Sequence, residues 1–173
     1  NGTAGFTGDG AAATSAQLST PICLVVDAAG NLYIADSGNL RVRKVAGNGL
    51  SGRSGDGGAA TSASLTNPQG VAVDAAGNLY IADTFNNVIR MVASDGTITT
   101  VVGNGVYGYS GDGDTATGAA LRYPKTVIVD ATGSLYVVDS FNSRIRVVAA
   151  DGTITSVAGN GTFGDGGDGG PAT

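Results

Sequence analysis

A repeated segment constrains the fold of this chain more than any other feature of its sequence. Equivalent segments begin at Asn1, Asn48, Asn104 and Asn160, with spacings of 47, 56 and 56 residues. Each opens a Gly-rich loop of 14 residues: NGTAGFTGDGAAAT, NGLSGRSGDGGAAT, NGVYGYSGDGDTAT and NGTFGDGGDGGPAT. A period of this length is typical of arrays in which each unit buries its apolar surface against its neighbours.

Each unit after its loop has the pattern of a small antiparallel sheet. In the second unit the runs GVAVD, LYIAD, VIRMV and TITTVVG are separated by the turns AAGN, TFNN and ASDG. Short runs of Val, Ile, Thr and Tyr between Asp/Asn/Gly turns predict a four-stranded antiparallel meander. Val71 and Val73 point to one face and Ala72 to the other, so both faces are apolar and must be covered. The sequence therefore predicts an all-β fold of propeller-type blades that stack on one another.

The period divides the chain into repeat 1 (1–47), repeat 2 (48–103), repeat 3 (104–159) and the start of a further repeat (160–173). Repeat 1 lacks the equivalent of residues 93–101, so the first blade is predicted to have three strands. Its exposed edge is assigned to Arg41, Val42, Arg43, Lys44 and Val45. Exposed edges tend to be covered or to recruit another strand. The Ala-rich stretch 59–65 predicts a short helix that Pro68 ends.

Composition excludes several functions. The net charge is −5, every acidic residue is Asp, and the nine basic residues are scattered, which argues against a nucleic-acid partner. No run approaches the roughly 18 apolar residues of a membrane span. The chain has no His and no Glu, so it lacks most of the usual general bases and metal ligands of enzymes. Because it begins without Met inside a repeat, we expect a piece of a longer secreted protein whose signal peptide lies elsewhere.

The stretch from Pro68 to Gly105 resembles the NHL repeat, in the pattern PxGVAVDxxGNLYIADTxNNxIRxV followed by DGTITTVxGNG. The likeness extends over essentially the whole chain, and the spacer GNGxxGxSGDGGxAT resembles that of many bacterial secreted NHL proteins. The resemblance implies a β-propeller, typically six-bladed, that serves mostly in binding, with some enzymes among its relatives. Three blades are half of such a ring, which leaves two apolar faces to cover. Further blades of the same chain, a dimer of half rings, or head-to-tail polymerisation would each cover them.

Two sets of polar residues recur in register. Asp and Asn residues end the second strands and begin the next turn; we assign them to turn capping, because a single active site would not repeat with the blade. They are Asp36, Asp83, Asp139, Asn39, Asn86 and Asn142. Arg43, Arg90 and Arg146 are placed to pair with the three aspartates. Acidic spacer residues suggest calcium only as a weaker alternative to bare turns, and no other cofactor is expected. The calcium candidates are Asp112, Asp114, Asp165 and Asp168.

Aromatic residues gather in the spacers and in the turns after the second strands. They are Phe6, Tyr107, Tyr109, Phe163, Phe85 and Phe141. Exposed rings suit contacts with carbohydrate or protein, whereas buried rings would pack over the seams between blades. Both interpretations stay open at this point.

These observations favour a non-catalytic, extracellular or cell-surface module that binds or scaffolds protein or glycan. One alternative is a structural subunit that polymerises head to tail into an extracellular filament. Another is part of a propeller lyase or lactonase whose site lies outside this segment; the absence of His and Glu argues against catalysis within it.

Overall fold

The computed structural model describes residues 3–9, 11–164, 166–167 and 170–173. Within those ranges the regular structure consists of short strands and single 3₁₀ turns. The strands are β1 (Pro21–Val26), β2 (Leu32–Asp36), β3 (Arg41–Arg43), β4 (Pro68–Val73), β5 (Leu79–Asp83), β6 (Val88–Val92), β7 (Ile98–Val102), β8 (Pro124–Val129), β9 (Leu135–Asp139), β10 (Arg144–Val148) and β11 (Ile154–Ala158). The 3₁₀ turns are Ala13–Ser15, Ser37–Asn39, Ala60–Ser62, Thr84–Asn86, Ala116–Gly118 and Ser140–Asn142.

The strands form three antiparallel meanders, so the predicted all-β blade architecture is confirmed. The sheet orders are β1-β2-β3, β4-β5-β6-β7 and β8-β9-β10-β11. In the second sheet Ala72 pairs with Tyr80, Tyr80 with Met91, and Met91 with Thr99. The first sheet has three strands, as the shortened repeat predicts. Every neighbouring pair of strands within a sheet is sequential, so each blade closes through local turns.

The Ala-rich stretch predicted as a short helix forms one 3₁₀ turn, Ala60–Ser62. The chain leaves this turn in extended conformation at Ala63. Three further turns follow β2, β5 and β9 and each ends in a left-handed residue: Leu40, Asn87 and Ser143. These turns reverse the chain at the same end of the strands in every sheet. We call this end of the blades the upper edge.

The core lies between the sheets. On one face of the middle blade, Leu79 and Ile81 pack with Tyr33 and Ala35 of the first blade. The opposite face of the middle blade packs against the third, through contacts that include Tyr80, Ala82, Val127 and Val137. All five residues of β5 are buried. The period-2 alternation therefore places apolar side chains on both faces of a strand that has a neighbouring blade on each side.

The two outer sheet faces expose the positions that are buried in the interior. Leu24 in β1 is 62% exposed, whereas its equivalent in the middle blade, Val71, is 7% exposed. Ile128 in β8 is 56% exposed, whereas its equivalent Ala72 is 9% exposed. Each outer face thus carries one half of the contact that joins neighbouring blades.

The innermost strands approach one another closely at Gly70. A Cβ at this position would lie 2.6 Å from the Lys125 carbonyl oxygen and 2.7 Å from Thr126 Cα. We expect Gly70→Ala to destabilise the chain by about 1–3 kcal/mol, because backbone of the next blade has to move. Gly118→Ala is the control, since its Cβ would meet only Thr115 Oγ1 at 3.4 Å. Urea unfolding measures both; equal stability of the two variants would contradict this close packing of the inner strands.

Candidate functional site

A buried carboxylate organises the upper edge of each blade. Asp83 is fully buried and accepts hydrogen bonds from the Thr66 backbone N–H and from Asn86 Nδ2, both at 2.7 Å. Arg90 Nη1 lies 3.6 Å from its second oxygen. The other two blades repeat this arrangement at Asp36 and Asp139. The turn-capping assignment is wrong in its partner, because Asp36, Asp83 and Asp139 make no side-chain cap hydrogen bond to the 3₁₀ turn that follows each of them. Each carboxylate instead joins the backbone just before the first strand of its blade to the Asn side chain of the turn.

Asp83, at the upper edge of the middle blade, and Asp27, in the turn between β1 and β2, have opposite electrostatic environments. Burial raises the pKa of Asp83 to about 6, against the hydrogen bonds of Asn86 and Thr66 and the charge of Arg90, which favour the ionised form. At the opposite end of the strands, in the turn after β1, hydrogen bonds from the side chain and then the backbone of Asn31 lower the pKa of the half-buried Asp27 to about 2. The contrast follows from desolvation, which acts strongly only on the upper-edge group.

The spacer aspartates are bound to buried arginines. Asp112 Oδ1 lies 2.5 Å from Arg146 Nη2, and the side chain of Arg146 is fully buried. The calcium candidate Asp112 therefore has a cationic partner within the chain. Asp114 accepts an N–H from Ile154 through its backbone carbonyl, while Asp165 and Asp168 lie outside the described residues. Among the residues that the structure describes, no group of three His, Cys, Asp or Glu could hold a metal ion.

Four aromatic rings meet at the upper edge where the middle and third blades join. The Tyr123 ring centroid lies 5.2 Å from that of Phe85, 5.3 Å from Tyr107 and 5.0 Å from Phe141. The interplanar angles of 54° to 78° are those of tilted and edge-to-face pairs. Phe85 and Phe141 are each 52% exposed and Tyr107 is 48% exposed. We call Phe85, Tyr107, Tyr123 and Phe141 the aromatic platform.

Turn geometry holds the platform in place. Phe85 lies in the 3₁₀ turn Thr84–Asn86, and Phe141 lies in the corresponding turn of the next blade. Tyr123 precedes β8 and has a φ of 49°, in the left-handed region that L-residues rarely adopt. Its N–H donates to Asn87 Oδ1 at 3.0 Å, and Asn87 belongs to the neighbouring blade. A side chain of one blade therefore helps to fix the ring at the start of the next.

Two basic side chains flank the platform. The Arg122 guanidinium lies 4.6 Å from the centroid of the Tyr107 ring and 5.8 Å from that of Phe141. Lys125 Nζ lies 6.0 Å from the Phe141 ring centroid. Cation–π attraction of this kind contributes about 0.5–1 kcal/mol at an exposed site. Aromatic surface and positive charge therefore occur together, on a chain whose net charge is −5.

The platform does not repeat with the blades. Gly38 stands where Phe85 and Phe141 stand, Asn67 and Thr20 correspond to Tyr123, and Ser51 corresponds to Tyr107. Sequence analysis selected Phe85, Tyr107 and Phe141 but missed Tyr123, Arg122 and Lys125. The available signal was that Arg122, Tyr123 and Lys125 replace uncharged, non-aromatic residues of the first two repeats at nearly consecutive positions. A local cluster of changes in one repeat points to a site rather than to blade structure.

The other three aromatic candidates lie elsewhere. The Arg41 guanidinium lies 3.7 Å from the centroid of the Phe6 ring. Arg144 lies 3.9 Å from the Tyr109 ring, whose hydroxyl donates to Asp112 at 2.7 Å. Each of these two rings lies against an arginine of its own repeat, so these contacts are neither in the aromatic platform nor between two blades. Phe163 is almost fully exposed and lies apart from the platform.

Blades of this form, in this order, define a β-propeller architecture. The family model of the teneurin NHL domain matches residues 49–110 and 104–165, together more than half of the chain, and that of the NHL repeat matches residues 18–45. The chain belongs to the NHL-repeat family, as its sequence pattern predicts. No curated protein sequence matches it. In the described part of the chain, no helix is long and apolar enough to cross a membrane.

Solved structures share the fold. A protein of unknown function from Bacteroides thetaiotaomicron is 26% identical over 77% of this chain and 36% of its own, with a TM-score of 0.64. An auxiliary nutrient binding protein from Bacteroides ovatus is 22% identical over 82% and 38%, with a TM-score of 0.64. Virginiamycin B lyase from Staphylococcus aureus is 15% identical over 82% and 43%, with a TM-score of 0.52. The chain spans less than half the length of each.

Asp27 and Asp83 are expected to titrate in different pH ranges. Carboxyl ¹³C NMR should show Asp27 titrating near pH 2 and Asp83 near pH 6, with Asp27→Asn and Asp83→Asn assigning the signals. Because its pKa is lowered on folding, ionised Asp27 stabilises the fold above about pH 4, and this contribution is lost as the pH falls towards 2. The raised pKa of Asp83 acts oppositely: protonation stabilises the fold at low pH, and this contribution is lost as the pH rises through 6. Titration of both groups near pH 4 would contradict this assignment.

Proposed function

We propose that the chain is a non-catalytic binding module that holds a protein or glycan on its aromatic platform. The observation that carries this proposal is the cluster of half-exposed rings, flanked by Arg122 and Lys125, where the middle and third blades join. Half-exposed rings that are already packed against one another lose little conformational freedom when a ligand covers them. The platform is therefore suited to binding before any ligand arrives.

The chemistry of the platform favours a ligand with an apolar face and a negative charge. The apolar face of a pyranose ring, or an aromatic or aliphatic side chain, can lie against Phe85 and Phe141. A carboxylate or sulfate beside it would pair with Arg122 or Lys125. Uronic-acid or sulfated glycans and acidic peptides have this combination. Electrostatic attraction to this edge would weaken as salt is added, because both cations lie near solvent.

Two further facts support binding rather than catalysis. The chain has no His and no Glu, and the buried aspartates Asp36, Asp83 and Asp139 are occupied by internal donors. A fold relative is described as an auxiliary nutrient binding protein. On this basis we also propose an extracellular or cell-surface location, which the resemblance to secreted NHL proteins favours.

The outer sheet faces support a second proposal, which concerns assembly. We infer that further NHL blades cover the faces around Leu24 and Ile128, either within a longer chain or from a second copy. A second copy would give a dimer of half rings or a head-to-tail polymer, which would serve as a scaffold. The supporting observation is that each face exposes the positions that the middle blade buries.

The platform proposal is tested by binding to parallel arrays of neutral oligosaccharides, acidic oligosaccharides and acidic peptides. We expect either the acidic oligosaccharides or the acidic peptides to bind, and the neutral oligosaccharides not to bind. The double variant Phe85→Ala/Phe141→Ala should bind the same acidic ligand at least about tenfold more weakly than the parent, which corresponds to about 1.4 kcal/mol. Phe163→Ala is the matched control, since this ring is exposed outside the platform. Equal binding by the parent and the double variant would exclude the platform. Retention of neutral and acidic ligands alike would exclude the role of Arg122 and Lys125.

The assembly proposal is tested by light scattering of the 16.8 kDa chain. If copies cover one another's outer faces, the measured mass is a multiple of this value, and Leu24→Asp and Ile128→Asp each lower it by burying a charge in the contact. Leu50→Asp is the control, since Leu50 is exposed in a spacer rather than on a sheet face. A stable monomer with intact sheets would rule out self-assembly of this chain.

A further inference from the structure

Five positions at the upper edge recur in the middle and third blades but differ in chemistry between them. In the middle blade they carry one ring and four uncharged polar side chains: Ser51, Thr66, Asn67, Gln69 and Phe85. In the third blade they carry three rings and two cations: Tyr107, Arg122, Tyr123, Lys125 and Phe141. We call the set in the middle blade the neutral patch.

The same backbone contacts hold the two sets in place. The Phe85 N–H donates to the Thr66 carbonyl at 3.2 Å, as the Phe141 N–H donates to the Arg122 carbonyl at 3.1 Å. The polar residues that follow Thr66 in the chain therefore lie beside Phe85, as the residues that follow Arg122 lie beside Phe141.

Two residues of the neutral patch have side-chain amides without partners. Asn67 and Gln69 are half-buried, and within the described part of the chain neither amide makes a hydrogen bond. The φ of 52° accounts for an Asn at position 67, because Asn tolerates the left-handed region. The fold does not require an amide at position 69, since Ile22 and Lys125 hold the same place in the other two blades.

The neutral patch and the aromatic platform form one continuous surface, because Phe85 belongs to both. Its ring centroid lies 5.2 Å from that of Tyr123, which lies 5.0 Å from that of Phe141. Two consecutive pyranose rings can cover a span of this kind. The hydroxyl groups of Ser51 and Thr66, 3.1 Å apart, extend the polar side. The upper edge therefore presents rings with uncharged hydrogen-bonding groups at one end and cations at the other.

The backbone at this edge is already paired. The Phe85 N–H donates to Thr66, and the Asn87 N–H donates to the Thr84 carbonyl at 3.2 Å. The Tyr123 N–H donates to the Asn87 side chain at 3.0 Å. A peptide that binds as an added strand needs an unpaired backbone edge, whereas a glycan is held by rings, amides and hydroxyl groups. This surface therefore favours a glycan over a peptide.

We propose that the platform binds an oligosaccharide in which an acidic residue is joined to a neutral one, and that Asn67 and Gln69 select the neutral residue. This inference rests on the proposed function of the platform. The carboxylate or sulfate of the acidic residue pairs with Arg122 or Lys125. The neutral residue lies on Phe85, and its hydroxyl groups bond to the two amides. A second acidic residue in that place would lose water without gaining a cation, so a uniformly acidic oligosaccharide binds more weakly.

The test compares three probes by isothermal titration calorimetry with the 173-residue chain. They are glucuronic acid, a tetrasaccharide of alternating glucuronic acid and N-acetylglucosamine, and a tetrasaccharide of glucuronic acid alone. We expect the alternating tetrasaccharide to bind at least about fivefold more tightly than either of the others, the gain of one or two hydrogen bonds.

Removal of the two amides should abolish this preference. Asn67→Gly keeps the left-handed backbone, and Gln69→Ile introduces the residue that the first blade carries at the same place, Ile22. In each variant the alternating tetrasaccharide should lose affinity by about threefold or more, while the uniformly acidic one is little affected. Thr20→Gly is the matched control, since Thr20 has a φ of 48° at the equivalent position of the first blade.

A change of charge gives the decisive comparison. Gln69→Lys places a cation in the neutral patch, and Lys125 already stands at this position in the third blade. The uniformly acidic tetrasaccharide should then bind at least as tightly as the alternating one, because its second carboxylate gains a partner. A purely structural role of Gln69 would not reverse the preference.

The failure of this inference can be told apart from the failure of the platform. Equal binding of the two tetrasaccharides by the parent, an unchanged preference in Gln69→Lys, or binding of acidic peptides without either tetrasaccharide would overturn the inference and leave the platform as a binding site. If Phe85→Ala/Phe141→Ala binds the alternating tetrasaccharide as the parent does, or if the parent binds neither acidic peptides nor oligosaccharides, both proposals fail.

Discussion

A buried arginine in each blade links the parts on which the rest of the structure depends. Arg90 extends from the third strand to Asp83 at the upper edge and to Asp56 in the spacer, with none of its side chain exposed. Removing Arg90 would leave the buried Asp83 without a counter-charge, and breaking a buried ion pair in this way typically costs about 3–5 kcal/mol. The spacer held in this way supplies the second edge for β7, and its Ala60 carbonyl accepts the Gly47 N–H of the preceding blade. The same cation therefore fixes the blade, its outer strand and its contact with the neighbour.

The sequence predicted the parts of this structure that local interactions determine. The strands, the turns at Asp83 and Asn86, and the three-stranded first sheet follow from patterns within one repeat, because each strand pairs with the next. The aromatic platform joins Phe85 and Tyr123, which are far apart in sequence and meet only when two blades stack. For Phe6 and Tyr109 the sequence left both a ligand surface and internal packing open, because the position of a ring in a Gly-rich spacer gives no indication of the arginine that it contacts in the fold. The pattern within one repeat therefore could not predict the contacts that residues make with other repeats or with distant parts of their own.

The departures of the chain from its own repeat are of two kinds. The platform includes substitutions in repeat 3, where Arg122, Tyr123 and Lys125 replace apolar or uncharged polar residues of the first two repeats. The first blade is shortened by deletion, since nine residues of repeats 2 and 3 are missing from repeat 1. In a repeat array the common positions are held by the needs of stacking, so distinct chemistry is available chiefly at positions that differ between copies.

The coverage of the middle blade on both faces has a consequence for how the molecule opens. Every residue of β5 is buried, whereas β1 and β8 each have a face open to solvent. In arrays of this kind stability is approximately a sum of unit and interface contributions, so a unit with two interfaces opens less often than a unit with one. The molecule is thereby organised as a persistent centre with two more labile flanks.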